Sequence, residues 1–132
     1  MFIALFAASL VAQAPGIPAA SQGGDAPAVT VELAPLPLDQ QTALRCSAAI
    51  AIATERQRAG KETPADWPNL LENERGREFF VRSLAKVMDD TGLTREGIAA
   101  HGRKEAQDLL AEPERLEEIM PACLALLELS GL

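Results

Sequence analysis

Apolar residues fall into five blocks along this chain, and the first stands apart because it carries no charge. Phe2 to Ala12, FIALFAASLVA, is an uncharged run of eleven residues, the length of a signal-peptide core and too short to span a bilayer. It predicts a secretory leader over residues 1–16, with Ala12-Gln13-Ala14 and Ala14-Pro15-Gly16 as alternative cleavage points. No basic residue lies between Met1 and the run, so the positive end would come from the amino terminus alone. The competing reading is a buried N-terminal helix. Residues 17–38 read as a disordered linker, because Pro15 to Leu38 holds five of the nine prolines and three glycines with no helical period. Within it, Val29-Thr30-Val31-Glu32-Leu33 alternates like a short extended piece able to add to a partner's sheet edge.

From residue 39 to 132 the apolar spacing becomes helical. Asp39 is a suitable N-cap and Gly60 a suitable C-terminal stop after Arg56 and Arg58, which predicts a first helix from about Gln40 to Ala59. At 100° per residue, Leu44, Ala48, Ala51 and Ile52 occupy one side, and Cys46, Ile50 and Ala53 the other. The middle of this helix is apolar all round, the mark of a central element covered on every side. Thr63 to Pro68 reads as a turn with Pro64 at its first helical position. A second helix fits from Asn69 or Arg75 to Thr91, closed by Gly92, with Phe80, Val81, Leu84, Val87 and Met88 facing the core. Gly76 would delay its start or break it.

Thr94 predicts the cap of a third helix, whose inner arc holds Ile98, Ala99, Gly102, Ala106, Leu109 and Leu110; Gly102 would allow a close helix approach. A fourth helix begins near Pro113 and carries Leu116, Ile119, Met120, Cys123, Leu126 and Leu127 on one stripe, with Pro121 expected to kink or break it. The expected architecture is therefore all-α, a small four-helix bundle of orthogonal or up-down type. It carries two cysteines, Cys46 in the first helix and Cys123 in the last, both on apolar faces. In an exported chain their one intramolecular pairing is a disulfide joining these helices.

Charge and composition then narrow the function. Nineteen acidic against twelve basic side chains give a formal charge of −7, which repels phosphate backbones and anionic lipid. Asp90 to Ala99 superficially resembles the turn and second helix of a helix-turn-helix reader. Its Arg95, Arg103 and Lys104 are nevertheless offset by Glu96, Glu105 and Asp108, so no nucleic acid partner is expected. Two cysteines and one histidine cannot supply a four-cysteine or two-cysteine, two-histidine zinc site, or a four-thiolate iron–sulfur cluster. No cofactor motif is present. His101, the only histidine, falls on a polar arc with Glu105 and Asp108, where a surface ion pair is expected rather than a general base. Glu117–Glu118 and Asp89–Asp90 do not fit a calcium loop and read as solvated helix faces.

One residue breaks the amphipathic pattern. Phe79 lies on the charged arc of the second helix among Arg75, Arg82 and Lys86, so it should be exposed or covered by something. An aromatic ringed by arginines, with Trp67 nearby, suggests a partner-binding surface made of Trp67, Phe79, Arg75 and Arg82. An intramolecular clasp under the Trp67 loop is the other option. The last 28 residues, from Glu105, offer a second surface, with seven acids and one base.

The plan of a leader followed by a short helical domain with cysteines in its first and last helices is similar to small exported bacterial helical proteins, including acid-stress chaperones and effector-immunity proteins. The likeness is architectural and carries no residue over. The expectation is a periplasmic or extracellular, non-enzymatic module that binds another exported or envelope protein, with no membrane span once the leader is removed. The alternatives are a periplasmic chaperone-like stress factor and an enzyme using His101 or paired acids.

Overall fold

The computed structural model describes residues 33–132. The leader, its cleavage points and most of the linker, including the Val29–Leu33 stretch up to Glu32, lie outside the described residues. Four helices are present: α1 (Leu38–Arg58), α2 (Arg75–Thr91), α3 (Arg95–Ala111) and α4 (Pro113–Leu129), with a 3₁₀ turn at Glu72–Glu74 ahead of α2. The described residues contain no strand. None of these helices is long and apolar enough to cross a membrane. The all-α, four-helix class expected from the apolar spacing is the observed one.

Helix α1 is the central element, and α2, α3 and α4 each pack against it. It starts at Leu38, two residues earlier than the Asp39 cap predicts. Pro37 sits at the cap with φ −53° and ψ 149° and contributes no side-chain bond, while its carbonyl accepts from Gln41 N at 2.9 Å. Asp39 instead lies in the first turn, where its charge faces the positive helix end. The other end stops as expected: Gly60 takes φ +68°, and Lys61 N returns to the Arg56 carbonyl at 2.9 Å. That is the left-handed termination that glycine favours.

Small side chains along α1, among them Ala48, Ala49 and Ala53, are buried and let the neighbouring helices come close. Its buried hydroxyls are satisfied internally, with Ser47 Oγ donating to the Ala43 carbonyl at 2.7 Å and Thr54 Oγ1 to the Ile50 carbonyl at 2.6 Å. Neither therefore carries the penalty of an unpaired buried polar group. The main core joins Ile50 and Ala53 of α1 to Trp67, Leu70, Phe79, Leu109, Met120 and Leu127. A second cluster of Leu44, Val87 and Ile98 lies nearer the start of α1.

The disulfide between Cys46 and Cys123 is formed, with the Cα atoms 5.0 Å apart and 77 positions between the residues. It links the first helix to the last.

Helix α2 begins at Arg75, the later of its two predicted starts, and ends at Gly92 with φ +70°. It runs antiparallel to α1, since Gln40 Nε2 reaches Asp90 at 3.2 Å while Thr54 faces Gly76 at the opposite end. The predicted inner arc of α2 holds at Val87, Leu84 and Met88, which join the second core cluster, but not at Val81, and it omitted Phe79. Its buried residues are Gly76, Phe79 and Val87; Phe80, Leu84 and Met88 are half-buried, and Val81 is 51% exposed. Gly76 makes room for this face: a Cβ there would meet Thr54 Oγ1 at 2.0 Å, so glycine lets the backbones of α1 and α2 come together and brings Phe79, one turn on, inward. Apolar spacing cannot detect this contact, because the residue that makes it has no side chain. The helix enters through Asn73 and Glu74, both left-handed at φ 51° and 58°, a region unusual for side-chain-bearing residues.

Gly76→Ala is therefore expected to destabilise the protein by about 1–3 kcal/mol through overpacking, even though alanine is the better helix former by about 1 kcal/mol. In urea titrations, a Thr54→Ala background should reduce that loss; equal losses in both backgrounds would show that the Thr54 contact is not responsible.

Helix α3 is capped as predicted, with Gly97 N donating to Thr94 Oγ1 at 3.1 Å. Its inner arc is narrower than predicted: Ile98 and Leu109 are buried, whereas Ala99 is exposed and Leu110 is 58% exposed. Gly102 is not a close-approach point, since a Cβ there would meet nothing within 4 Å. Helix α4 starts at Pro113 and runs through Pro121 without a break. Pro121 lies on the exposed face, where water can take up the carbonyl that loses its partner.

Candidate functional site

The surface expected around Trp67 and Phe79 is not presented to solvent. Phe79 is 6% exposed and Trp67 8% exposed, and both belong to the main core. Of the two options for Phe79, the intramolecular clasp is the one formed. Gln57 closes it: its Oε1 accepts from Leu70 N at 2.9 Å and its Nε2 donates to the Pro68 carbonyl at 2.9 Å. The loop is thus fastened to α1 by one amide that satisfies two backbone groups. A second fastening is Arg75, whose Nη2 donates to Glu128 Oε1 at 2.7 Å and to the Leu132 carbonyl oxygen at 2.6 Å. Its role is to tie the start of α2 to the end of α4, and Arg82 pairs along its own helix with Glu78 at 3.6 Å.

His101 is half-buried beside the segment Leu33 to Leu36, in a depression also lined by Arg45, Lys104 and Glu105. The acids expected to pair with it have other partners: Glu105 Oε2 meets Arg45 Nε at 3.0 Å, and Asp108 meets Lys104 Nζ at 2.6 Å. The bond to Asp108 raises the Lys104 ammonium above its usual range. On α2, Lys86 and then Gln40 bond to Asp90 and lower its carboxyl pKa, and the same contact raises that of Lys86. These are exposed ion pairs one helical turn apart. Among the described residues no group of three histidine, cysteine or acidic side chains is placed to hold a metal ion.

What does stand out is a strip of α1 that its neighbours cover only in part, where Ile52 still touches the main core. Ala51 and Ile52 remain half-buried in the middle of a helix whose sequence is apolar in every direction. Two shallow depressions flank them and share Ala51 and Glu55 as a common ridge. On the α2 side, the ridge meets Thr54, Arg58, Gly76, Arg77 and Phe80 around about 220 Å³. On the α3 side, it meets Ile52, Arg56, Ala59, Lys61 and Leu110 around about 550 Å³. Half-buried Phe80 and exposed Leu110 thus extend the apolar floor to both sides.

The charge at this strip is opposite to that of the whole chain. Four of the twelve basic residues line it, Arg56, Arg58, Lys61 and Arg77, against a single acid, Glu55. Glu55 is engaged by Arg58, and Arg77 contacts Glu74 at 3.6 Å. Arg56 and Lys61 have no carboxylate within ion-pairing distance among the described residues.

The all-round apolar run in α1 was the one signal for this site in the sequence. It marks a helix that wants cover on every side, but the uncovered side depends on where α2 and α3 lie. No family model matches this chain, and neither curated proteins nor solved structures match it.

Proposed function

We propose that the protein is an exported, non-enzymatic binding module that docks another exported or envelope protein on the open strip of α1. The observation that carries this reading is the incomplete cover of Ala51 and Ile52 between half-buried Phe80 and exposed Leu110, on a helix otherwise covered by its neighbours. Single exposed apolar residues are ordinary, whereas a contiguous apolar floor rimmed by polar groups is the usual composition of a protein contact. The Cys46–Cys123 disulfide and the uncharged N-terminal run support delivery to an oxidising compartment. The binding surface proposed is accordingly not the Trp67 and Phe79 region, whose aromatic rings are spent on the core.

Photo-crosslinking in the producing cell tests this. A photoreactive side chain at Ile52 or Leu110 should give one discrete adduct, identifiable by mass spectrometry, that is absent when the same group is placed at exposed Ala99 on α3. An identical adduct pattern from all three positions, or none from the first two, would remove the strip as a docking site.

A further inference from the structure

Resting on the reading of this strip as a docking surface, we infer that its occupant is an amphipathic helix of a partner protein, with an apolar seam flanked by carboxylates that meet Arg56 and Lys61. The backbone argument selects a helix. The floor consists of side chains of α1, α2 and α3, whose main-chain groups are bonded within their own helices, so it offers no ladder to an extended peptide. An occupant lying on Ala51, Ile52, Phe80 and Leu110 gains no main-chain bonds from this floor, which favours a helix, whose N–H and C=O groups are already paired. Ala51 at the centre leaves room for an axis to approach to about 8–10 Å, the spacing of packed helices. The occupant would complete the cover of α1 that its sequence requires.

The charge argument selects carboxylates. Arg56 and Lys61 stand on the α3 side of the ridge, and Arg58 and Arg77 on the α2 side. On the α2 side Arg58 and Arg77 are already paired with Glu55 and Glu74, so the cations left for a bound helix are Arg56 and Lys61 along the α3 edge. Favourable placement at the end of α1 accounts for Arg56 and Arg58, but not for Arg77, which comes from α2, or Lys61, which lies beyond the helix. An anionic membrane would also meet these cations, yet it would be repelled by the remainder of a chain with formal charge −7. A second copy could offer its acidic α4, but that contact would join two different patches and so build a ring or a chain of molecules rather than a simple two-fold dimer.

The test is an NMR titration of the ¹⁵N-labelled, oxidised full chain with two synthetic helical peptides. They share one leucine and alanine seam and differ only in flanks of glutamate or of lysine. The glutamate peptide should shift the amides of Ala51, Ile52 and Leu110 and bind at least about tenfold more tightly than the lysine peptide at low salt, a difference that narrows as salt is added. The double change Arg56→Glu with Lys61→Glu should reverse that order, and Leu110→Asp, at a residue 58% exposed, should weaken both peptides. Unchanged unfolding midpoints of the oxidised variants confirm that their folds are intact.

Equal binding of the two peptides at the strip would overturn the acidic-partner inference and leave the docking surface standing. Failure of both peptides to move these amides would overturn both. Shifts at the strip that grow with protein concentration in the absence of peptide would assign it to a second copy. Broadening there with phosphatidylglycerol vesicles but not with the peptides would assign it to a membrane. Either result overturns the inference.

Discussion

Replacing Phe79 by alanine is expected to destabilise the oxidised protein by about 3–5 kcal/mol, the usual loss when a buried aromatic is truncated. The ring is 6% exposed and shares the main core with Trp67 and Leu70. Its removal would leave a void bounded by α1 and by the loop that Gln57 fastens down, and a rigid helix can close such a space only in part. Against an ordinary total stability of about 5–15 kcal/mol, the loss would be readily measured. Trp67, the only tryptophan, reports the change directly: in Phe79→Ala its emission should shift to the red and its urea transition should move to lower concentration. Were Phe79 instead a surface anchor, truncation would change stability by no more than about 0.5 kcal/mol. A midpoint within that range would contradict the packing described here.

The second large effect concerns the covalent link. Removing it in the double variant Cys46→Ala/Cys123→Ala should lower stability by about 2–4 kcal/mol, with about 4.5 kcal/mol as the chain-entropy ceiling for a loop of this length. The loop is long because the bridged residues lie 77 positions apart, and closing it removes many conformations from the unfolded chain. Both sulfur-bearing residues are buried, at 3% and 1% exposure. The oxidised native protein should therefore resist mild reductant until urea opens it. The comparison to make is the urea midpoint of the oxidised chain against that of the double variant, with alkylation and intact mass to verify the thiol state. Coincident midpoints would mean that the link does not contribute to the folded state's advantage.

How much of this was legible beforehand follows from the range of each interaction. Gly60, Gly92, Thr94 and Pro113 mark helix ends through their own backbone geometry or a bond to a residue a few positions away, so these boundaries were readable. The pairing of Cys46 with Cys123 was readable by counting. The inward face at the start of α2 was not, because Gly76 meets Thr54 through a contact made by having no side chain, whereas Leu84, Val87 and Met88 face a core as read. Phe79 looked misplaced only while the arc of α2 was drawn from side-chain polarity; once Gly76 lies against Thr54, Phe79 is on the inward face. Pro37 displaced Asp39 as the cap because its fixed φ and extended ψ already set the entry into α1. The open strip was half legible: the apolar circumference of α1 announces a demand for cover, but only the packing of three other helices shows where that demand goes unmet. His101 was expected on a solvated arc, yet it is half-buried beside Leu33 to Leu36; Glu105 is taken by Arg45 of α1, an approach that no one-helix projection contains, and Asp108 by Lys104 one turn away on α3 itself.

The bridge has one more consequence, for the fate of a damaged molecule. The loop between α1 and α2, with Lys61 and Glu62 exposed near its start, lies inside the segment that Cys46 and Cys123 enclose. A protease that cuts there severs the chain but releases no fragment, since the two pieces stay joined through sulfur and each retains its share of the core. In a compartment rich in peptidases, a single nick would therefore leave the assembled body in one piece, and loss of the protein would require a further cut or reduction.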